Sequence, residues 1–304
     1  MGAQADIICA GGAVINRKYR PQRRLISGTS NPANVQQTFG GVARNVAENL
    51  AMLGDSVGLI SLVGADRAGD VLLANLADNG VDVSGVDRAA ATPTAEYVAV
   101  FDEHGELSTG LAIMDIFDEL DPERFANELK LARPSNWVFA ECNLPVSCLN
   151  RLCELKAELG SLLAVDTVSI SKAPRVAHLL NGIDLLFTNE AEARSVLQLD
   201  AAPEFLVEEL AKAGAQSIVL TLGSRGALFS DKGAAGHVSA QAAAVADVSG
   251  AGDALIAGTL HGLMAGHDLR AALKVGNALA ARTVESDLDV APASAIEELA
   301  MALT

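Results

Sequence analysis

Asp247-Val248-Ser249-Gly250-Ala251-Gly252-Asp253, continuing into Ala254-Leu255-Ile256-Ala257-Gly258-Thr259-Leu260, puts three small residues before an apolar, helix-like run and one carboxylate at its first turn. Backbone N–H groups at such a terminus have no intrahelical partners, and with the helix dipole they form a seat for phosphate or developing negative charge. Small side chains let a phosphate reach that backbone. Taken alone, Asp253 has two readings: an acid favoured by the dipole or capping the helix, and a functional carboxylate.

Outward from this stretch, the chain reads as alternating strands and helices. Ile7–Val14 is expected to be a buried first strand, Val42–Leu53 a helix closed by Gly54, and Ser56–Val63 a second strand. Short apolar runs at Trp137–Ala140, Leu162–Asp166, Asp184–Thr188 and Ser217–Leu222 alternate with helical stretches such as Pro145–Leu159 and Glu204–Ala213. Such alternation predicts an α/β fold, a mostly parallel sheet covered on both faces, with ligands at the carboxyl ends of the strands. Two segments break the pattern. Arg17–Phe39 alternates weakly, and Thr94–Ile113 reads as two extended runs joined by Asp102-Glu103-His104-Gly105, a hairpin signal. Segments 15–39 and 94–113 are therefore expected to form a small antiparallel β lid on one domain spanning 1–304.

Composition excludes several classes. With 304 residues, 50% hydrophobic and 20% charged, the chain can bury a large core. Its 22 basic and 38 acidic residues give a net charge of −16, which argues against nucleic-acid or anionic-membrane partners. Arg17, Lys18, Arg20, Arg23 and Arg24 form the one basic cluster, read as a solvated lid edge. Cys9, Cys142, Cys148 and Cys153 make no C-x-x-C pair, and the five histidines make no metal-ligand or triad spacing. The absence of a signal-like leader and of a long apolar run predicts a cytoplasmic protein.

A second glycine-led stretch, Gly40-Gly41-Val42-Ala43-Arg44-Asn45, opens the helix over 42–53. The glycines allow a ligand close to the backbone, and Asn45 can both donate to and accept from a hydroxyl. A tight helix entry alone would look the same. Asn189 and Glu192, three apart, share one face of a helix starting near Asn189, where they could organise a hydrated Mg2+ or simply form a capping box. Thr221-Leu222-Gly223-Ser224-Arg225-Gly226 ends a strand in a narrow turn. Neither Gly11-Gly12 nor Gly250-Ala251-Gly252 completes a dinucleotide fingerprint, and no Walker A lysine motif is present.

Taken together, these motifs resemble those of the ribokinase-like sugar kinases of the PfkB family. The first signature corresponds to Gly40-Gly41 with Asn45, Asn49 and Gly54, the second to Asp247 through Gly258, and two shorter motifs to Thr188–Glu192 and Thr221–Gly226. The resemblance implies a three-layer α/β/α fold with a β lid, often a dimer surface, and an ATP-dependent kinase using Mg2+. Phosphorylating an alcohol needs a carboxylate to take its proton and donors to meet the spreading charge. Asp253 would be the base, and the backbone of Gly250, Ala251 and Gly252 the anion hole. ATP would lie against Thr221, Gly223, Gly226 and Asn277, with Asn189 and Glu192 holding Mg2+ through water. Asp247 is where similar kinases often hold a monovalent cation, so K+ is a further expected cofactor.

Within the family, Ser30-Asn31-Pro32, Ala140-Glu141-Cys142-Asn143 and Asp166-Thr167-Val168-Ser169 with Lys172 are similar to the pseudouridine kinases. That similarity makes the acceptor a pseudouridine 5′-hydroxyl, bound by Asn16, Asn31, Gly40, Gly41, Asn45, Glu141, Asp166 and Lys172. One departure stands out. Similar kinases usually carry N-x-D at the end of the first strand, whereas this chain has Val14-Ile15-Asn16, which fits either a shifted acceptor or a slip of a few residues in the register of the match. Other family acceptors, such as ribose or another nucleoside, and a nucleoside-binding regulatory protein without turnover are the alternatives.

Overall fold

The computed structural model describes residues 5–132, 136–286 and 288–292; the ends of the expected domain, 1–4 and 293–304, lie outside the described residues. The strands are β1 (Ile7–Ala10), β2 (Val14–Pro21), β3 (Ala33–Gly40), β4 (Val57–Gly64), β5 (Asp82–Ala89), β6 (Glu96–Phe101), β7 (Leu107–Ile113), β8 (Trp137–Glu141), β9 (Leu162–Asp166), β10 (Leu185–Asn189), β11 (Ser217–Thr221), β12 (Ala227–Asp231) and β13 (Ala234–Val238). The helices are α1 (Val42–Met52), α2 (Arg67–Asp78), α3 (Pro122–Ala132), α4 (Val146–Leu159), α5 (Glu190–Leu197), α6 (Pro203–Lys212), α7 (Ala251–Met264) and α8 (Leu269–Val284).

Nine strands form the main sheet in the order β13-β12-β11-β10-β9-β8-β1-β4-β5. From β5 to β11 every pairing is parallel, and only β12 and β13 run antiparallel at one edge. Alternation along β1 sorts the core into two layers. Ile8 and Ala10 face a cluster with Phe125, Leu149 and Leu210 of α3, α4 and α6. Ile7 and Cys9 face the other, with Leu50, Leu72, Leu260 and Leu273 of α1, α2, α7 and α8. Strands buried on both faces read as the near-continuous apolar runs seen in the sequence. The result is the three-layer α/β/α fold expected.

Two strand assignments change. The expected strand Ile7–Val14 stops at Ala10, because the backbone turns at Gly11, with φ of 150° and an added Cβ meeting Glu141 Oε1 at 2.3 Å. Val14 instead opens β2 of a second sheet, ordered β3-β2-β6-β7. There, β2 pairs all eight residues with β3 antiparallel, Val14 opposite Gly40 and Pro21 opposite Ala33. β6 and β7 also pair antiparallel, while the two hairpins join through a parallel β2–β6 ladder. Weak alternation along Arg17–Phe39 thus hides two full strands, since a sheet standing off the core has few buried positions to mark it. Among the described residues no helix is long and apolar enough to cross a membrane, and all four cysteines are free.

Candidate active site

Helix starts and strand ends converge where the two sheets meet, as expected for an open parallel sheet. Gly250 precedes α7 in the left-handed region, φ 73°, and its carbonyl accepts from Ala254 N at 2.9 Å. Asp253, in the first turn, receives Asn45 Nδ2 of α1 on Oδ2 at 2.7 Å. Burial pushes its carboxyl up to about 7, the Asn45 hydrogen bond opposing and the nearby Asp289 and Glu141 adding to the shift. A buried carboxylate with a pKa near neutrality suits a proton acceptor.

Asn45 is itself oriented. Its Oδ1 accepts from Arg44 Nη1 at 3.0 Å, so its amide nitrogen faces Asp253. Arg44 is 3% exposed, donates also to Asn75 Oδ1 at 2.7 Å, and forms an ion pair with Glu48 one turn along. Gly40 and Gly41 fit this junction sterically: a Cβ on Gly40 would meet Asn16 Nδ2 at 2.3 Å, and one on Gly41 the Gly12 carbonyl at 2.3 Å. Asn31 sits instead in the β2–β3 loop, where its side chain closes a turn on Ile26 N at 2.8 Å and Ile26 O at 2.9 Å. No hydrogen bond ties Asn31 to Asp253 or its partners among the described residues.

Opposite, fully buried Glu141 at the end of β8 accepts the backbone N–H groups of Gly12 and Asn143, and burial pushes its carboxyl up. Lys172 donates to Asn143 Oδ1, and burial lowers its ammonium pKa. Asp166, ending β9, accepts from Val168 N at 2.9 Å. Its carboxyl lies well above the ordinary range through burial and then through Glu192, Asp253 and Glu141. Asn189 and Glu192 form the capping box: Asn189 Oδ1 accepts from Glu192 N at 3.0 Å, and Glu192 Oε2 from Asn189 N at 3.3 Å. Thr167 Oγ1 donates to Glu192 Oε2 at 2.6 Å.

A cavity of about 160 Å³ opens among Asp166, Thr188, Asn189, Glu192, Gly252 and Asp253. Beside it, a second of about 660 Å³ is lined by Thr221, Gly223, Gly226, Val245, Ala251 and Asn277, large enough for a nucleotide. The turn at Gly226 is tight, with φ 91° and an added Cβ meeting Val238 O at 2.1 Å. Asn277 Nδ2 reaches Ser239 O at 3.4 Å. The smaller cavity suits a divalent cation: its oxygens are of the kind Mg2+ takes, and its carboxylates repel one another without a countercharge. Among the described residues no three His, Cys, Asp or Glu side chains cluster closely enough to hold an ion by themselves, so water would complete the shell.

The profile for pfkB family carbohydrate kinases matches residues 4–295. The chain belongs to the PfkB family. It is 30% identical over 260 residues to the pseudouridine kinase of Escherichia coli (strain K12), covering 83% of this chain and 82% of that protein. It is likewise 30% identical over 262 residues to the guanosine-inosine kinase of Exiguobacterium acetylicum, covering 84% and 86%. Arabidopsis thaliana ribokinase, solved with ribose and ATP, superposes with a TM-score of 0.86 at 20% identity, over 98% of this chain and 99% of that one. The fold is ribokinase-like.

Several residues of this PfkB kinase escape the motifs. Lys18, read as solvated lid edge, is 7% exposed and bonds Asp247 Oδ2 at 3.1 Å and Asp289 Oδ1 at 3.4 Å. Alternation along β2 does not flag it, since Asn16 and Arg20 on the same face are half-buried and exposed. Asp289 accepts from Asn16 Nδ2 at 3.0 Å and Thr38 Oγ1 at 2.9 Å. Asp247 Oδ1 accepts from Ser249 N at 2.9 Å; although burial pushes its carboxyl up, Ser249 and Lys18 hold it below the usual range. Asn143 and Thr167 lie within the stretches 140–143 and 166–169 quoted above, but no spacing marks their contacts with Lys172 and Glu192, which join distant parts of the chain.

Proposed function

We propose that this PfkB kinase transfers the γ-phosphoryl group of ATP to the 5′-hydroxyl of pseudouridine, giving pseudouridine 5′-phosphate and ADP. The observation that carries the reading is Asp253, a buried carboxylate pushed up to about 7 at the N-terminus of α7, held by Asn45. In this mechanism Asp253 takes the hydroxyl proton as the oxygen attacks the γ-phosphorus. The new O–P bond forms as the bond to the ADP bridging oxygen breaks. N–H groups of Gly250, Ala251 and Gly252 would meet the developing charge, Ala251 giving up its 3.4 Å bond to Val248 O to do so. Mg2+, when bound, would neutralise phosphate charge, and Asn189 and Glu192 would hold its water shell.

At the acceptor end, Gly40, Gly41, Asn45, Glu141, Asp166 and Lys172 are the proposed contacts. Asn16 joins them through its second amide hydrogen, the first being donated to Asp289. Asn31 shapes the lid loop in this reading. The nucleotide lies along Thr221, Gly223, Gly226 and Asn277. The protein is read as one domain over 1–304 whose small sheet acts as lid and dimer surface. Exposed Val35 on β3 and Leu107, Leu111 and Ile113 on β7 support the dimer. A cytoplasmic setting is supported by the four free cysteines. The monovalent cation expected beside Asp247 has Lys18 as a rival for that carboxylate.

The test is ADP release from purified protein offered pseudouridine, uridine, guanosine, inosine and ribose. The expected result is a kcat/KM for pseudouridine at least about tenfold above the rest. Preference for guanosine or inosine would move the acceptor and keep the chemistry; the replacement of N-x-D by Val14-Ile15-Asn16 favours that as the second reading. Nucleoside binding without product from any acceptor would return the protein to the regulatory class.

A further inference from the structure

Two carboxylates from distant parts of the chain meet one ammonium beside the anion loop. Asp247 lies three residues ahead of Gly250, and Asp289 lies in the segment after α8. Lys18 Nζ stands 3.1 Å from Asp247 Oδ2 and 3.4 Å from Asp289 Oδ1, its side chain 9% exposed. The remaining oxygens are committed elsewhere: Asp247 Oδ1 to Ser249, Asp289 Oδ2 to Asn16 and Thr38.

Backbone contacts tie the group to the loop. A Cβ on Gly250 would fall 1.9 Å from the Asp289 carbonyl oxygen, so the two backbones touch. Asn49 Oδ1 of α1 accepts from Ala291 N at 3.1 Å, fixing the same segment from its other side. Asp247 N and Ala246 N both bond Val284 O. The position of the loop therefore depends on the segment at Asp289, and that segment depends on balancing two nearby negative charges. Burying such a pair without a countercharge is costly.

We propose that the Lys18 ammonium is the built-in monovalent cation of this kinase, a positioning residue that neutralises Asp247 and Asp289 and so holds the Gly250–Gly252 loop without an alkali ion. The inference rests on the kinase reading for its turnover arm only. An ammonium carries one charge in a volume close to that of K+, and it directs three N–H donors at oxygens. Tethered on β2, it is present at a high effective concentration, so a free ion at millimolar levels competes poorly. The lysine also ties the small sheet to the loop, which a diffusing ion could not do.

The experiment compares wild type with Lys18→Met in tetramethylammonium chloride, then in KCl or NH4Cl at equal ionic strength. ADP affinity by calorimetry and turnover with the preferred acceptor are both read. Wild type is expected to change less than about twofold between salts, while Lys18→Met should lose about tenfold or more and recover most of it in KCl or NH4Cl. The double variant Lys18→Met, Asp289→Asn should lose that recovery, because one carboxylate no longer needs a countercharge. A wild type stimulated about tenfold by K+, or a Lys18→Met protein indifferent to salt and as active as wild type, overturns the proposal. Should Lys18→Met fail to fold in tetramethylammonium, folding regained in KCl supports it, and folding in neither salt leaves the wild-type salt response to decide. If no acceptor turns over even in wild type, the kinase reading falls and ADP affinity still judges Lys18.

Discussion

At the scale of single residues, Asp253 carries the proposed chemistry and the sharpest expectations. Its carboxyl is raised from 3.8 to about 7 in the folded protein, by burial first, so the deprotonated form needed to accept a proton predominates only above that value. Turnover should therefore fall by about tenfold per pH unit below about 7, measured as kcat between pH 5.5 and 9. Asp253→Asn should lower kcat by roughly 10²-fold or more and leave ADP binding intact. Because the folded state holds this proton more tightly than the unfolded chain, stability is lost as pH rises from 3.8 through about 7. Asp253→Asn removes that loss, so its melting temperature should exceed wild type at pH 8, with the gap closing below pH 4. Wild-type turnover in this variant would remove Asp253 as the base.

Arg44 acts one residue away. Its hydrogen bond to Asn45 Oδ1 fixes which end of the amide meets Asp253, a choice that the residue types alone leave open. Breaking a buried Arg–Glu pair by removing one partner typically costs about 3–5 kcal/mol. Arg44→Met should therefore melt well below wild type, whereas the paired replacement Arg44→Met, Glu48→Leu should recover much of that stability. Chemical denaturation of the three proteins checks this, and equal stability of single and double variants would contradict it.

At the scale of elements, α5 shows one motif serving two ends. Asn189 and Glu192 complete a capping box, and the same Glu192 lines the smaller cavity with Asp166 and Asp253. A glutamine can complete a capping box but carries no charge. Glu192→Gln should thus hold its melting temperature within a few degrees while needing several-fold more Mg2+ for half-maximal turnover. A large loss of stability with unchanged Mg2+ response would make Glu192 a cap alone. The packing of α7 on α8 follows from another pair of small residues: a Cβ on Gly258 would lie 2.8 Å from Gly276 Cα, so both helices approach through glycine. That contact brings Asn277 of α8 to the edge of the cavity that Ala251 of α7 also lines.

At the scale of the whole molecule, the small sheet presents β7 to solvent along its entire length, with Leu107, Leu111 and Ile113 about half exposed. An apolar edge of this kind is an invitation to pair. Light scattering on the eluting protein should give twice the 31.3 kDa chain mass at micromolar concentration, and Leu111→Lys should shift it toward the monomer. A wild-type monomer would sink the dimer.

Strands buried on both faces, glycines ahead of helices and an acid in the first turn of α7 are written locally, so the α/β/α order and the helix entries at Gly40–Asn45 and Gly250–Asp253, which meet in the candidate site, could be read from the chain. Periodicity and helix entry depend on neighbours within a few residues, which makes them legible in the chain. Folding in three dimensions sets which way the Asn45 amide points, that Val14 leaves the core for the second sheet, and that Lys18 is buried between Asp247 and Asp289. The Asn45–Asp253 bond spans 208 positions and the Lys18 pairs 229 and 271, while Val14 is drawn to the second sheet by its pairing with Gly40. Burial and countercharge at such a meeting point are properties of the packed chain, and no local pattern encodes them.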